Sequence, residues 1–148
     1  MRPIFNGIMA GGVLFYRRRD QLEFLFISKK NRLEDIGGKT EEGDTCIEDT
    51  IGREVEEETN HVISSSIVKR QLEKGKRFLF VQSKYLMVLV QANSFEEKLT
   101  TESFDHVEYG KGSNGETRTL HWIPLSQVKE MYIHPRIELR TILESFHI

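Results

Sequence analysis

The stretch GGKTEEGDTCIEDTIGREVEEETN, residues 37–60, joins a glycine pair to a segment dense in carboxylates. Thr45 and Glu48 match the capping box, in which a hydroxyl and a carboxylate three residues apart satisfy free backbone donors at a helix start. Asn60 tolerates the left-handed backbone conformation that closes many helices. The pattern therefore predicts a helix with Thr45 as its N-cap and Asn60 at its end.

The predicted helix carries one apolar face and a group of acids beside it. Three apolar residues recur at every fourth position and form a stripe that must face a core: Ile47, Ile51 and Val55. At about 100° per residue, Glu54 and Glu58 fall on the edge of this stripe, and Glu57 lies on the same side as Glu54. Glu56 falls opposite the stripe, where a solvated charge belongs.

This arrangement of acids is costly unless something compensates for it. Like charges one helical turn apart destabilise a helix by a few tenths of a kcal/mol, and charges beside a core also lose hydration. A bound cation removes both costs. Hard ions such as Mg²⁺ take carboxylate and carbonyl oxygens and keep waters that a phosphate can replace. The sequence therefore predicts a divalent-cation site on this helix.

At this point the residues resemble a known signature. Gly38, Asp44 and the run Arg53-Glu54-Val55-x-Glu57-Glu58-x-Asn60 resemble the motif of the Nudix hydrolases, G-x5-E-x7-R-E-U-x-E-E-x-G-U, where U is aliphatic. These enzymes cleave a nucleoside diphosphate linked to another group. The R-E-U-x-E-E core is complete, and Gly-Gly-Lys precedes it as in the family's usual loop.

The chain departs from the motif in two places. Asp44 replaces the first Glu, and eight residues rather than seven separate it from Arg53. Asn60 replaces the Gly, and His61 replaces the following aliphatic residue. The extra residue lies where the loop meets the helix, so the three glutamates keep their register while Asp44 is shifted. We therefore expect this junction to differ from the family pattern.

The resemblance implies a metal site and a reaction. Mg²⁺ or Mn²⁺ ions would neutralise a diphosphate and lower the pKa of an attacking water in a phosphoanhydride hydrolysis. The ligands it implies are the Gly37 carbonyl and the carboxylates of Glu54, Glu57 and Glu58. Arg53 would orient a carboxylate through its planar fork, with Glu57 and Asp49 as candidates. Lys39 would contact a phosphate.

Family members often place a further carboxylate in the loop before the last strand, as a metal ligand or general base. Glu116 directly precedes the predicted strand 117–123 and is the first candidate, with Glu108 as the second. The alternative is that both are ordinary solvated loop residues. Trp122-Ile123-Pro124-Leu125 also resembles a strand-to-helix junction, W-x-P-L, that is common in the family.

Composition restricts the class of protein. A chain of 148 residues with 38% hydrophobic and 30% charged residues predicts one globular domain over residues 1–148. The net charge of −2 gives no general attraction to nucleic acid or to a membrane. The single Cys46 cannot form an internal disulfide, which favours a reducing, cytoplasmic setting. No stretch approaches the roughly 20 apolar residues of a membrane span.

The remaining segments fit the same architecture. Runs rich in β-branched and aromatic residues predict strands or extended segments at 10–16, 22–28, 62–72, 78–82, 85–91 and 117–123. Helices are predicted at 124–132 and after Pro135. Strands alternating with helices favour an α/β protein, and the resemblance implies a Nudix-type α/β/α sandwich with a mixed β-sheet.

The substrate is less constrained than the chemistry. A proline that marks many ADP-ribose hydrolases of this family is absent, since Lys76 and Arg77 occupy that region. A nucleoside triphosphate or a dinucleoside polyphosphate is the leading expectation; nucleic acid is not favoured, but capped RNA stays open. Two other classes remain: a non-catalytic nucleotide-binding or protein-interaction module on the same fold, and a structural protein with an acidic helix.

Five cations form the densest basic segment and either contact a polyanion or are solvated: Lys69, Arg70, Lys74, Lys76 and Arg77.

Overall fold

A mixed β-sheet forms the centre of the computed structural model, which describes residues 1–109 and 117–147. The strands in these ranges are β1 (Ala10–Arg18), β2 (Leu22–Lys29), β3 (Arg32–Glu34), β4 (Ile36–Lys39), β5 (Lys76–Phe80), β6 (Tyr85–Gln91) and β7 (Thr119–Pro124). Strand β1 runs parallel to β6 and antiparallel to both β2 and β4. Antiparallel pairs also join β2 to β3 and β7, and β5 to β6.

Helices cover both faces of this sheet. They are α1 (Ile47–Glu58), α2 (Ser65–Leu72), α3 (Leu125–Val128) and α4 (Leu139–Glu144), with 3-10 turns at Glu96–Lys98 and Thr101–Phe104. Neighbouring residues of β1 point to opposite faces, so Val13 and Phe15 join the apolar cluster under α1 and α2, while Leu14 joins the cluster under α3 and α4. This layering confirms the predicted α/β/α arrangement. No helix within the two described ranges is long and apolar enough to cross a lipid bilayer.

Helix α1 buries the predicted stripe but begins one residue later than predicted. Ile47, Ile51 and Val55 are all buried in the first cluster. The N-cap is Cys46, not Thr45, and it makes no side-chain capping bond. Asp49 instead ties the residue before the N-cap to the first turn, since its Oδ2 accepts hydrogen bonds from the backbone N–H and the hydroxyl of Thr45, at 2.9 and 2.6 Å.

The prediction of an extended segment at 62–72 is wrong, because Ser65–Leu72 forms helix α2. Ser64 caps this helix by accepting a hydrogen bond from the Ile67 N–H. Val68 and Leu72 lie one turn apart and are buried against the first cluster, a helical spacing that the β-branched composition of the segment obscures. Two cations of the basic segment also have defined partners: Lys69 pairs with Asp49 at 2.7 Å, and Arg77 pairs with Glu48.

The other predicted elements occur, some of them shortened. The strands predicted at 10–16 and 22–28 form the hairpin β1–β2, and those predicted at 78–82 and 85–91 form the hairpin β5–β6. The strand predicted at 117–123 corresponds to β7. The helix predicted at 124–132 is reduced to the single turn of α3. The last helix, α4, buries Ile142 and Leu143 as its apolar pattern requires.

The site is positioned where β4 pairs with the first half of β1. At this place two glycines of one strand face two glycines of the other. Gly11 pairs with Gly38 and Gly12 pairs with Gly37. A Cβ added at Gly11 would lie 3.0 Å from the Ile47 side chain, so α1 rests close to the backbone there. A Cβ at Gly12 would lie 2.1 Å from the Tyr85 hydroxyl oxygen on the other face. These paired glycines therefore let side chains reach the backbone from both faces of the sheet.

Replacing Gly12 with alanine is expected to lower the free energy of unfolding by about 3 kcal/mol, because overpacking forces the surrounding groups to shift. The measurement is urea unfolding of the purified variant. Gly52→Ala in α1 is the control, since a Cβ there would meet its nearest atoms at 3.3 Å and alanine favours a helix by about 1 kcal/mol over glycine. It should change stability by no more than about 1 kcal/mol. A Gly12→Ala variant as stable as the wild type would contradict the packing described here.

Candidate metal and active site

Glu54 of α1 lies directly over the backbone of Gly38. A Cβ at Gly38 would lie 2.4 Å from the carboxyl carbon and from one carboxylate oxygen of Glu54, so a larger residue there would displace this carboxylate. Burial, with a smaller contribution from the charge of Glu57, raises the pKa of Glu54 to about 7, although Arg53 opposes the shift. The carboxylate is therefore held against a bare main chain in a poorly solvated position.

Glu58 is the most deeply buried of the three glutamates, with 5% of its surface exposed. The N–H of Gly37 donates a hydrogen bond of 3.0 Å to Glu58 Oε1. Burial and the neighbouring charge of Glu54 raise the pKa of Glu58 well above its ordinary value, while Lys29 and Arg136 act in the opposite direction. Helix α1 and strand β4 are thus joined by a buried carboxylate.

Glu57 lies nearer to solvent on the same side of α1, with 23% of its side chain exposed. Burial raises its pKa; Arg53 opposes this shift, and the charges of Glu41 and Glu108 add to it. All three predicted glutamates consequently have raised pKa values. Glu56, by contrast, accepts a hydrogen bond from the Ser65 N–H and is not one of the crowded acids.

Arg53 connects the helix to the loop before it, and its main partner is Asp44. The guanidinium donates to both carboxylate oxygens of Asp44, at 2.9 and 3.3 Å, and to the carbonyl oxygen of Lys39 at 3.1 Å. It also contacts Glu54 at 3.1 Å and Glu57 at 3.8 Å. The candidate partner Asp49 was wrong, because its carboxylate binds Thr45 and Lys69.

Asp44 therefore has a defined place despite the altered spacing of the motif. Besides Arg53, its Oδ2 accepts hydrogen bonds from the Glu41 N–H at 2.9 Å and from the Thr50 hydroxyl at 2.7 Å. Burial alone would raise the pKa of Asp44, but the hydrogen bonds from Arg53, Glu41 and Thr50 lower it overall. Its carboxylate fastens the loop to α1 and holds Arg53 over the acids.

The C-terminal end of α1 anchors the segment that carries Glu108. Buried Arg118 donates to the carbonyl oxygens of Glu58 and Asp105, at 2.7 and 2.6 Å. The Asn60 side chain donates to the carbonyl of Val107 and accepts from the N–H of Tyr109. Sequence reasoning missed these tethers, since Asn60 was assigned only a helix-ending role and Arg118 only a place in a strand.

Glu108 is thereby placed beside the carboxylate helix. It is 8% exposed, and its negative charge contributes to the raised pKa values of Glu57 and Glu58. The first candidate for the loop acid, Glu116, lies outside the described residues. Lys39 is exposed, and its carbonyl oxygen bonds Arg53, while contact between its side chain and a phosphate stays a prediction.

Comparison with known proteins identifies the class. A model of the NUDIX domain family matches residues 8–142, which is most of the chain. The chain belongs to the Nudix family, whose hydrolases are pyrophosphohydrolases. No curated protein sequence matches it.

Three solved structures are similar to this chain. A MutT/nudix family protein from Enterococcus faecalis shares 21% identity over 78% of this chain, with a TM-score of 0.40, and the chain spans 43% of that protein's length. A Nudix hydrolase from M. Smegmatis, RenU, shares 13% identity over 94% of this chain and 88% of that one, with a TM-score of 0.47. A NUDIX hydrolase from Nitrosomonas europaea shares 19% identity over 91% of this chain and 86% of that one, with a TM-score of 0.44.

The residues at the site fit the divalent metal that is typical of this family. Oxygen donors from three desolvated glutamates suit a hard cation, and the bare backbone at Gly38 gives the space that a Cβ would fill. Within residues 1–109 and 117–147, no three His, Cys, Asp or Glu side chains already lie close enough together to hold a metal ion. Arg53 and the Gly37 N–H currently occupy oxygens of these carboxylates.

Asp44→Asn is expected to destabilise the fold in a pH-dependent manner. The pKa of Asp44 is lower in the folded chain than in the unfolded one, so its charge stabilises the fold above about pH 4, and this contribution is lost as the pH falls through the folded value. The variant should lose about 1–2 kcal/mol near pH 7, and the difference should shrink below about pH 4.

Urea unfolding across this pH range measures the effect. Glu42→Gln is the matched control, because Glu42 is exposed over 87% of its side chain and should show little difference at any pH. A difference for Asp44→Asn that stays constant with pH would contradict the role of its charge.

Proposed function

We propose that this chain is a metal-dependent hydrolase that cleaves a phosphoanhydride bond in a nucleoside diphosphate linked to another group. The observation that carries the proposal is the placement of Glu54 and Glu58 against the glycine backbone of β4, where both carboxylates are desolvated. A purely structural helix has no need for crowded acids beside its core, since burying several like charges side by side is costly. A divalent cation adds positive charge beside these carboxylates and can in turn bind the anionic polyphosphate.

Each residue of the site has a proposed role. Mg²⁺ or Mn²⁺, when bound, would neutralise the diphosphate, stabilise the leaving oxygen and lower the pKa of an attacking water. The proposed metal ligands are the carbonyl of Gly37 and the carboxylates of Glu54, Glu57 and Glu58. Arg53, held by Asp44, keeps Glu54 and Glu57 in place through its fixed fork of donors. Lys39, which is exposed at the end of β4, would contact a substrate phosphate.

The expected partner is a small molecule containing a diphosphate. A nucleoside triphosphate or a dinucleoside polyphosphate is favoured, and the cap of an RNA is a further member of the same chemical class. The carboxylate helix recognises a polyphosphate through bound cations. This selects the phosphoanhydride group rather than the base, and the assay below therefore varies the nucleotide.

A non-catalytic nucleotide-binding module on the same fold is the second candidate function. It is favoured by one observation: in the described part of the chain, the glutamates make bonds to Arg53 and Gly37 and do not converge on a common point. A binder of this kind would retain nucleotide affinity without turnover. The same assay separates it from the enzyme.

The test is hydrolysis of a nucleotide panel with Mg²⁺ or Mn²⁺, comparing the wild type with Glu58→Gln. The wild type should release phosphate, pyrophosphate or a nucleoside monophosphate, and a chelator should abolish this release. Glu58→Gln should lower the rate by a factor of at least about 100, the effect of losing a main group that stabilises the transition state.

Glu56→Gln is the control on the same helix, because Glu56 contacts the Ser65 N–H rather than the site, and it should retain most of the activity. Glu58→Gln with full activity and a normal fold would remove Glu58 from the mechanism. A wild type that binds nucleotides but hydrolyses none of them would leave the binding-module function in its place.

Two further variants assign the loop acid. Glu108 is proposed as general base or metal ligand alongside Glu116, since it is buried and its charge acts on Glu57 and Glu58. If Glu108 has this role, Glu108→Gln should lower kcat by a factor of about 100–10,000 with a smaller change in KM. Glu116→Gln is the paired variant, and whichever of the two shows the large kcat loss identifies the acid. Equal and small effects in both would contradict a catalytic acid in this loop.

A further inference from the structure

A second polar cluster lies behind Gly37, on the face of the sheet opposite α1. Asp35 and Tyr85 are buried, with 0% and 1% of their surfaces exposed, and the Arg136 side chain is 15% exposed. The Tyr85 hydroxyl donates to Asp35 Oδ2 at 2.6 Å. Arg136 donates from Nε to Asp35 Oδ1 at 2.8 Å and from Nη2 to the Asp35 carbonyl at 2.6 Å. We name Asp35, Tyr85 and Arg136 the rear cluster.

Further contacts of Arg136 hold the rear cluster in place. The Arg136 guanidinium lies over the Tyr85 ring, 4.9 Å from its centre. The carbonyl oxygen of Arg136 accepts a hydrogen bond of 2.8 Å from the Ser83 hydroxyl, and its N–H donates to His134 Nδ1 at 3.1 Å. The C-terminal segment is therefore fastened to the turn between β5 and β6 and to the residue that precedes β4.

The rear cluster touches the backbone that the metal site uses. A Cβ at Gly37 would lie 2.1 Å from the Tyr85 hydroxyl oxygen, so that oxygen lies directly against the main chain of β4. The N–H of the same residue bonds Glu58 on the opposite face. Only the backbone at Gly37 separates the hydroxyl of Tyr85 from the carboxylate of Glu58.

Stability alone does not account for this cluster. Tyr85 belongs to the apolar cluster on this face of the sheet, and replacing a buried ion pair by apolar residues of similar volume is often neutral or stabilising. Hydrogen bonds are directional and apolar contacts are not, so an apolar replacement would not fix the orientation of Asp35. The backbone that follows Asp35 is the part whose orientation these bonds would fix.

We propose that Asp35, Tyr85 and Arg136 are positioning residues for the metal site, fixing the backbone at Gly37 from the rear. They hold the N–H of Gly37 on Glu58 and set the orientation of the carbonyl assigned above to the cation. This inference rests on the proposed metal-dependent function. It adds residues from β6 and from the C-terminal segment to a site otherwise built from β4 and α1.

The decisive variant is Tyr85→Phe, which removes one hydroxyl and keeps both the ring and the Asp35–Arg136 ion pair. The dissociation constant for Mn²⁺, measured from the electron paramagnetic resonance signal of the free ion, should rise about tenfold, as is typical when a partner of a metal ligand is lost. In the metal-free protein, amide hydrogen exchange at Gly37 should become faster. Arg136→Lys should act in the same direction, since lysine cannot reproduce the two directed bonds to Asp35.

Tyr16→Phe is the matched control. Tyr16 borders the same apolar cluster and lies four residues beyond Gly12 on β1, about 13 Å along the strand. It should leave both the Mn²⁺ affinity and the exchange at Gly37 unchanged.

The outcomes separate this inference from the proposed function. If Tyr85→Phe lowers the melting temperature but leaves Mn²⁺ affinity and exchange at Gly37 unchanged, the cluster is merely structural and the inference is overturned. If the wild type binds no Mn²⁺, the proposed function fails. Exchange at Gly37 then still decides whether the rear cluster positions the backbone, because that measurement needs no metal.

Discussion

The site depends on one steric constraint, the absence of side chains where β1 pairs with β4. Gly11 and Gly38 leave one face open to α1, and Gly12 and Gly37 leave the other open to Tyr85 and Asp35. Carboxylate and hydroxyl oxygens therefore contact the backbone of these paired glycines directly. A Cβ at Gly12 or Gly37 would lie within 2.6 Å of backbone atoms, so a side chain at either position would force the backbone apart. The candidate metal site is built on this close approach.

Electrostatics follows from that geometry. Once α1 is pressed onto a bare backbone, its acids lose water, and burial raises the pKa values of Glu54, Glu57 and Glu58 together. Arg53 supplies partial compensation and is itself oriented by Asp44. The junction that departs from the family motif is thus the part that holds the arginine. A shorter acid, displaced by one residue, still reaches the guanidinium because the loop folds back onto Thr50 and Glu41.

The spacing of residues along the chain was sufficient to predict the features that depend only on neighbouring residues. The stripe of Ile47, Ile51 and Val55 and the acids beside it follow from helical periodicity, and the structure has them as predicted. Helix α2 was missed because β-branched residues outweighed a helical spacing in a short segment. The exact start of α1 was missed because the Thr45 hydroxyl bonds the Asp49 carboxylate rather than a backbone N–H of the first turn.

The partners of the site were not predictable in the same way. Arg118 meets the carbonyl of Glu58 across 60 residues of chain, and Arg136 meets Asp35 across 101. Neither arginine is part of a sequence motif. Only the tertiary fold brings them close to α1 and β4. Asn60 shows the same limit: its backbone role as a helix end was readable, while its side-chain bonds to Val107 and Tyr109 depend on where a distant loop returns.

The Asp35–Arg136 bond has a consequence for how the chain acquires its function during synthesis. It closes a loop of 101 residues, and such distant contacts form late because the entropy of loop closure must be overcome first. A nascent chain can form the β1–β2 hairpin and α1 long before residue 136 leaves the ribosome. Until then the strand that carries Gly37 lacks its rear support. The backbone at Gly37 therefore gains this support only after the C-terminal segment has docked.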